Sequence, residues 1–377
     1  MKKFMFIAPY TPLTTIHINR PYFELLKAMN RKNWLCILLA GKIETKCPDN
    51  ILPLETGITS NKHLDIFRTF PIVMRYLSEQ QPDVILFFHM NLILPIFVSI
   101  YKLKNNILKS KKKRGIKPIW IIKLDWDGTK FDDLNKFVMK LRNIFLLINS
   151  FFVDYIIAEN SCSYLKTREI IGTHNKKIVK IPNSYSNEFP LLEYENGKRE
   201  NIILCVARVE PEKDILSLVR SFAHVSKQFP SWSLKIVGPT DNINYFDEVT
   251  LEIKKLGLEK YTTFTGPLYK NDLLEIYSRA SIFCLASSHE TFSIARAEAI
   301  ASGIPIITTT SGCGIDFIEY GCIVTPVGDV ESMSRSLNEL IIDKEKRVQI
   351  SKLQQSKYPN YDKIAEQYEN IIINKRR

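Results

Sequence analysis

Seven cysteines, at positions 36, 47, 162, 205, 284, 313 and 322, are spread over 377 residues with no C-x-x-C pair and no Cys/His cluster. That scatter argues against a zinc site and a disulfide framework, and fits reduced thiols in a cytosol. The pattern G-x-G-x-x-G is missing after the first predicted strand, which leads instead into APYTPL. A dinucleotide-dependent dehydrogenase is therefore disfavoured. There is no short-period repeat and no low-complexity tract.

Uninterrupted apolar runs are also short. MKKFMFIAPYTP begins like a secretory leader, but Pro9 and Pro12 end its apolar run too early for one, so Phe4–Ala8 reads as a buried strand. Val84–Tyr101 approaches the ~20 residues of a membrane span. His89, Asn91 and Pro95 interrupt it and Asp83 abuts it. A buried strand (Val84–Phe88), a turn and an apolar helix account for it.

Acidic residues are scarce in the first half. Residues 1–190 hold 29 Lys and Arg against 15 Asp and Glu, whereas residues 191–377 hold 23 against 25. The net charge of +12 thus belongs to the first half, and it peaks in KLKNNILKSKKKRGIK, with Lys102, Lys104, Lys111, Lys112, Lys113 and Arg114. A basic run beside an apolar helix suits an anionic membrane face. No stacking aromatics alternate with these lysines, so nucleic acid is not expected. A solvated loop is the alternative reading.

What remains is a regular alternation. Apolar, β-rich runs at Phe4–Ala8, Leu35–Leu39, Val84–Phe88, Ile119–Leu124, Tyr155–Ala158 and Ile178–Ile181 are separated by helical patterns such as Pro21–Met29 and Leu134–Asn149. A polar stretch, Asn187–Glu200, reads as a linker. A second series follows at Ile202–Ala207, Ser233–Val237, Thr262–Phe264, Ile282–Leu285, Ile306–Thr308 and Cys322–Val324. Near-continuous apolar strands between helices mean parallel sheets covered on both faces. The expectation is an α/β chain of two Rossmann-like, doubly wound domains, residues 1–184 and 185–356, facing a central cleft. A terminal helix in 357–377, apolar at 361, 364, 365, 368, 371 and 372, is expected to pack back on the first domain.

Two carboxylates stand out in SSHETFSIARAEAIASGIPII. Glu290 falls in the loop leaving Ile282–Leu285, and Glu298 inside the helix that follows. Ser293 is the expected N-cap, and Ser302-Gly303 the stop. The eight-residue step covers up to about 12 Å at ~1.5 Å per helical residue. Between the carboxylates lies a helix amino terminus, a natural anion site. A nucleoside diphosphate sugar has the matching shape: hydroxyl-bearing rings on either side of a diphosphate. Arg208 and Lys213, in CVARVEPEKDILSL, supply cations for the phosphates. Each has a bland use as well. Arg208 has Glu210 and Glu212 in reach on the surface, Glu290 is a candidate solvated loop residue, and Glu298 lacks a local cation at helical spacing.

SSHETFSIARAEAIASGIPIITTTSG resembles the E-x7-E signature of retaining GT-B glycosyltransferases, the glycosyl transferases group 1 family (family 4 type). ARVEPEKD resembles its strand-end Arg and Lys segment, IPNS at Ile181–Ser184 its entry to the second domain, and QPDVILFFH its first-domain strand. The resemblance implies GT-B architecture and hexose transfer from a UDP- or GDP-sugar to a glycan or lipid-linked acceptor, with retention and with no metal or other cofactor. Glu290 would hold the donor sugar. Phe292 and Ser293 would offer backbone N–H groups to the diphosphate, Arg208 and Lys213 would stabilise the leaving group, and Glu298 would bind the ribose. Thr291 and Ile294 fall in the same donor segment. The family's E-G-F-G becomes E-T-F-S here, Asp214 follows Lys213 in place of glycine, and the glycine pair becomes Gly312-Cys313-Gly314. In the first domain KLDWDG stands where a histidine is usual, so Asp125, Asp127 and His17 are the expected sugar or acceptor contacts. A metal at Asp-x-Asp is not expected in such a chain. His289, beside Glu290, is read as structural. The expected setting is cytoplasmic, peripheral on the inner membrane face. A sugar-nucleotide epimerase and a non-catalytic sugar-nucleotide sensor are the alternatives.

Overall fold

The computed structural model describes residues 1–13, 21–44, 46–48, 50–58, 63–88, 94–108, 117–124, 136–172, 176–186, 189–195 and 199–376. His17, His89, Asp125, Asp127, Lys111, Lys112, Lys113 and Arg114 lie outside them, as does the side chain of Lys104. The chain divides into one unit formed by Met1–Ser184 with Asn360–Arg377, and a second formed by Tyr185–Pro359.

The first unit holds a sheet of seven parallel strands: β1 (Lys3–Leu13), β2 (Leu35–Ile43), β3 (Ile51–Glu55), β4 (Val84–Phe88), β5 (Ile119–Leu124), β6 (Tyr155–Ala158) and β7 (Ile178–Lys180). Their spatial order is β3-β2-β1-β4-β5-β6-β7. Alternation along each strand feeds two cores. Phe4, Phe6, Cys36 and Leu38 face one layer with α1 (Pro21–Arg31) and α12 (Tyr361–Arg376). Met5, Ile7, Ile37 and Leu39 face the other, with α2 (His63–Gln80), α3 (Leu94–Leu108) and α4 (Lys136–Phe152). Burial on both faces is why these strands read as continuous apolar runs. Among the described residues no helix is long and apolar enough to cross a membrane. Val84–Phe88 is a central strand of this sheet.

The last helix is held in the first unit by packing and charge together. Tyr361, Ile364, Ala365, Tyr368 and Ile372 are buried with α1 and β1. Trp34 Nε1 donates to Glu369 at 2.9 Å, and Arg31 and Arg376 pair with Asp362 and Asp83 at 2.8 and 2.9 Å.

The second unit repeats the plan with β8 (Ile202–Val206), β9 (Ser233–Val237), β10 (Thr262–Gly266), β11 (Ile282–Leu285), β12 (Ile306–Thr309) and β13 (Ile323–Thr325), ordered β10-β9-β8-β11-β12-β13, all parallel. This is the doubly wound order, whose ligand edge lies where the order reverses, here between β8 and β11.

Two sequence expectations need correction. β3 was not expected; Pro53 and its exposed residues disguise it, and both are tolerated because it is an edge strand. The segment read as a linker is, in its described residues, packed on the second unit. Tyr194 is buried and its hydroxyl accepts from Arg347 Nε at 2.7 Å. Arg199 donates to the carbonyls of Tyr277 and Ala280, both at 3.0 Å, and to that of Ser302 at 2.5 Å. A polar segment looks like a tether in sequence when its anchors are distant backbone carbonyls.

Candidate nucleotide-sugar site

The candidate site sits at the order reversal of the second sheet. Arg208 and Lys213 follow β8, and Glu290 follows the neighbouring β11. After β8 the chain forms a 3-10 turn, Pro211–Lys213, and then α6 (Ile215–Ser226). Asp214 joins the two in the left-handed conformation, φ 44°, and its side chain caps α6 by accepting from Ser217 N at 3.2 Å. Asp is one of the few non-glycine residues that adopts this conformation readily, which explains how it stands where glycine is usual. Gly238, at the end of β9, allows another close approach: a Cβ there would lie 2.0 Å from the carbonyl oxygen of Ala207, next to Arg208.

The two loops are bonded to each other. The Glu212 carbonyl accepts from Ser288 N at 2.9 Å and from the Ser288 hydroxyl at 3.2 Å. Lys213 Nζ lies 2.8 Å from Glu290 Oε2, and the Ser287 hydroxyl donates to the same oxygen at 3.4 Å. The Lys213 and Glu290 side chains are each only 14% exposed, so this pair is poorly screened. Arg208 differs. Its side chain is 56% exposed and pairs with Glu212 at 2.6 Å and more loosely with Glu210 at 3.7 Å. The surface pairing available to Arg208 in the sequence is therefore made. An exposed i,i+4 pair contributes only about 0–1 kcal/mol, so a phosphate that accepts a forked guanidinium competes with Glu212.

The intervening helix, α9 (Ile294–Ala301), starts at Ser293, whose hydroxyl accepts from Arg296 N at 3.4 Å. Ser302 and Gly303, the latter at φ 69°, close it. Phe292 and Ser293 are buried at its entrance and Thr291 is half-buried. The N–H groups of Ile294 and Ala295, in the first turn, have no intrahelical carbonyl to bond. Behind this turn Arg296 is buried, its Nη1 bonded to Thr308 Oγ1 at 3.1 Å and its guanidinium 4.5 Å from the centre of the Phe317 ring. A buried cation there adds positive potential to the helix start.

Glu298 is half-buried and accepts from the Tyr277 hydroxyl at 3.0 Å. Burial raises its carboxyl pKa from 4.5 to about 7, and the bond from Tyr277 pulls partly the other way. Burial and the nearby Glu298 both push the Tyr277 phenol well up, so it remains a donor. The Tyr277 hydroxyl also lies 3.2 Å from Ala295 O, so its one proton is shared between Glu298 and a carbonyl at the helix start. Tyr277 and Arg296 were missed in the sequence. Tyr277 lies 21 residues from Glu298, with no local pattern linking them. In the first unit, Lys123 is buried at the end of β5, 3.1 Å from Glu159 and hydrogen-bonded to Asn183.

Residues 193–357 match the family described as Glycosyl transferases group 1. Mannosylfructose-phosphate synthase of Agrobacterium fabrum is 28% identical over 182 residues, which are 45% of this chain and 40% of that relative. The chain spans less than half the length of that enzyme. Two solved structures share the whole fold. HepE of Anabaena in complex with UDP superposes with TM-score 0.72 at 15% identity, covering 99% of this chain and 100% of that one. The lipopolysaccharide outer core galactosyltransferase WaaB, in apo form, gives 0.70 at 17% identity with full coverage of both. These likenesses show the architecture, the GT-B fold, with the group 1 domain as its second unit.

Proposed function

We propose that the protein is a retaining, metal-independent glycosyltransferase that moves a hexose from a UDP- or GDP-sugar to a glycan or lipid-linked acceptor in cell-surface glycoconjugate synthesis. The observation that carries this reading is the Lys213–Glu290 pair, held beside the α9 amino terminus with Glu298 farther along the same helix. Support comes also from the UDP bound in HepE and from WaaB, described as a lipopolysaccharide outer core galactosyltransferase.

In this reading the diphosphate lies at the first turn of α9, with Lys213 and Arg208 neutralising the charge that grows on it as the sugar's C1–O bond breaks. Glu290 accepts hydrogen bonds from the sugar hydroxyls, and Glu298 from the ribose. The acceptor oxygen attacks C1 on the face that the phosphate leaves. Its proton passes to the departing phosphate oxygen, which gives retention without a protein base. The two side-chain cations take the place of a metal as charge stabilisers. Acceptor contacts at Asp125, Asp127 and His17 belong to this proposal, as does a peripheral position of the basic first unit on an anionic membrane face.

The test is a panel of nucleotide-sugars, screened by thermal shift and then by nuclear magnetic resonance with and without acceptor, in the presence of a chelator. A rise in melting temperature with one donor, and an acceptor-dependent product of unchanged anomeric configuration, is expected. Conversion of the donor without acceptor would replace transfer with epimerisation. Binding with no turnover on a broad acceptor panel would leave a sensor.

A further inference from the structure

Helix α4 of the first unit is apolar on its outer side as well as on its inner one, where Leu146 joins the core. Asn149 and Ser150 are buried, while Ile144, Ile148 and Phe151 are exposed, Phe151 by 72%. These three recur at helical spacing and form one stripe. α3 packs alongside and, while Phe97, Val98 and Tyr101 are buried, leaves Ile96, Ile100 and Leu103 exposed, at 53, 37 and 60%. Scattered exposed apolar residues are ordinary, but two adjacent helices each presenting a stripe make a patch that marks an interaction surface.

Its charge identifies the partner. Lys102 on α3 and Lys140 on α4 are exposed, and Lys177 donates to the carbonyl of Ser150, one residue from Phe151. Lys375 pairs with Asp154 at 3.0 Å, two residues past the end of α4. A second copy of the chain on this face would set these lysines against their own counterparts. Anionic phosphates beside an apolar layer match both properties at once. α3 and α4 have 15 and 17 residues, and neither is a membrane-crossing helix. The geometry is that of helices lying in a bilayer surface.

We propose that the exposed faces of α3 and α4 form a docking surface for an anionic phospholipid bilayer, with Phe151 and the aliphatic stripe in the acyl boundary and the lysines on headgroup phosphates. This deepens the proposed function by naming the surface that would bring a lipid-linked acceptor to the enzyme, and it rests on that reading only for the acceptor.

The experiment is co-sedimentation of the full chain with vesicles of mixed phosphatidylglycerol and phosphatidylcholine, and of phosphatidylcholine alone. The wild type is expected to bind the anionic vesicles, more weakly as salt rises. Ile144→Glu/Phe151→Glu and Lys102→Glu/Lys140→Glu should each lose about tenfold or more in partitioning, with melting temperature and donor thermal shift kept. Phe151→Trp should show blue-shifted emission on anionic vesicles and quenching by brominated acyl chains. No binding by the wild type, equal binding by all variants, or a change from dimer to monomer in Ile144→Glu/Phe151→Glu with vesicle binding intact would overturn the proposal. Donor turnover without vesicle binding defeats the surface alone, and vesicle binding without donor turnover defeats the transferase reading alone.

Discussion

Lys213→Ala is expected to lower the turnover of sugar transfer by about 10²–10³-fold, the usual cost of removing one preorganised group that stabilises a leaving oxyanion. Nucleotide-sugar binding should fall less, because the charge that Lys213 opposes is greatest in the transition state. The lysine is well placed for such a role. It is 2.8 Å from Glu290 and largely shielded from solvent, on a turn fixed by Asp214 and by bonds from the Glu290 loop. Removing it also leaves Glu290 without its cation, which costs on the order of 1–3 kcal/mol of stability. Stability and catalysis can be separated. In Lys213→Ala/Glu290→Ala the unpaired carboxylate is gone and the melting temperature should recover, yet transfer should stay lost. Recovery of turnover together with stability would reduce the pair to a structural clip.

Glu298 gives a second large effect, read against pH. Its carboxyl is raised to about 7 in the folded chain, from 4.5, with burial as the main cause. The folded state therefore binds a proton more tightly than the unfolded state does. The stability contributed by the protonated form is fully present below about pH 4.5 and is lost as pH rises through about 7. Relative to Glu298→Gln, the wild type should lose on the order of 1–3 kcal/mol between pH 5 and 8, the range discounted because the group is half-buried. Donor binding should run the other way. A carboxylate accepts ribose hydroxyls better than a carboxylic acid does, so affinity should climb with pH up to about 7, by at most about tenfold per unit. Binding near neutrality should release protons, visible as a calorimetric enthalpy that varies with buffer. Tyr277→Phe removes a donor to the carboxylate and should move the inflection to higher pH. Parallel pH profiles for the wild type and Glu298→Gln would remove Glu298 from the nucleotide.

The strands were legible because a parallel sheet buried on both faces leaves dense apolar runs, as in β4, β5 and β11. β3 escaped because an edge strand need not be apolar and tolerates Pro53. Of the site, the segment from Glu290 to Glu298 and its capping by Ser293 were readable locally, since loop, cap and helix are consecutive. Partners were not. Tyr277 reaches Glu298 from α8 (Lys270–Arg279), and Arg199 reaches across three separate carbonyls. The helix at α4 was visible as an apolar period, but the period does not say whether the stripe faces the sheet or solvent. The exposure of Ile144, Ile148 and Phe151, against the buried Leu146, Asn149 and Ser150, does that.

The measurement that reaches the central claim most directly is a crystal structure with a uridine or guanosine diphosphate sugar bound. The distal phosphate is expected within about 3 Å of Lys213 Nζ and of an N–H in the first turn of α9, with ribose hydroxyls on Glu298 and the hexose beside Glu290. A nucleotide-sugar bound away from the β8 and β11 loops, with the Lys213–Glu290 pair undisturbed and untouched, would contradict it.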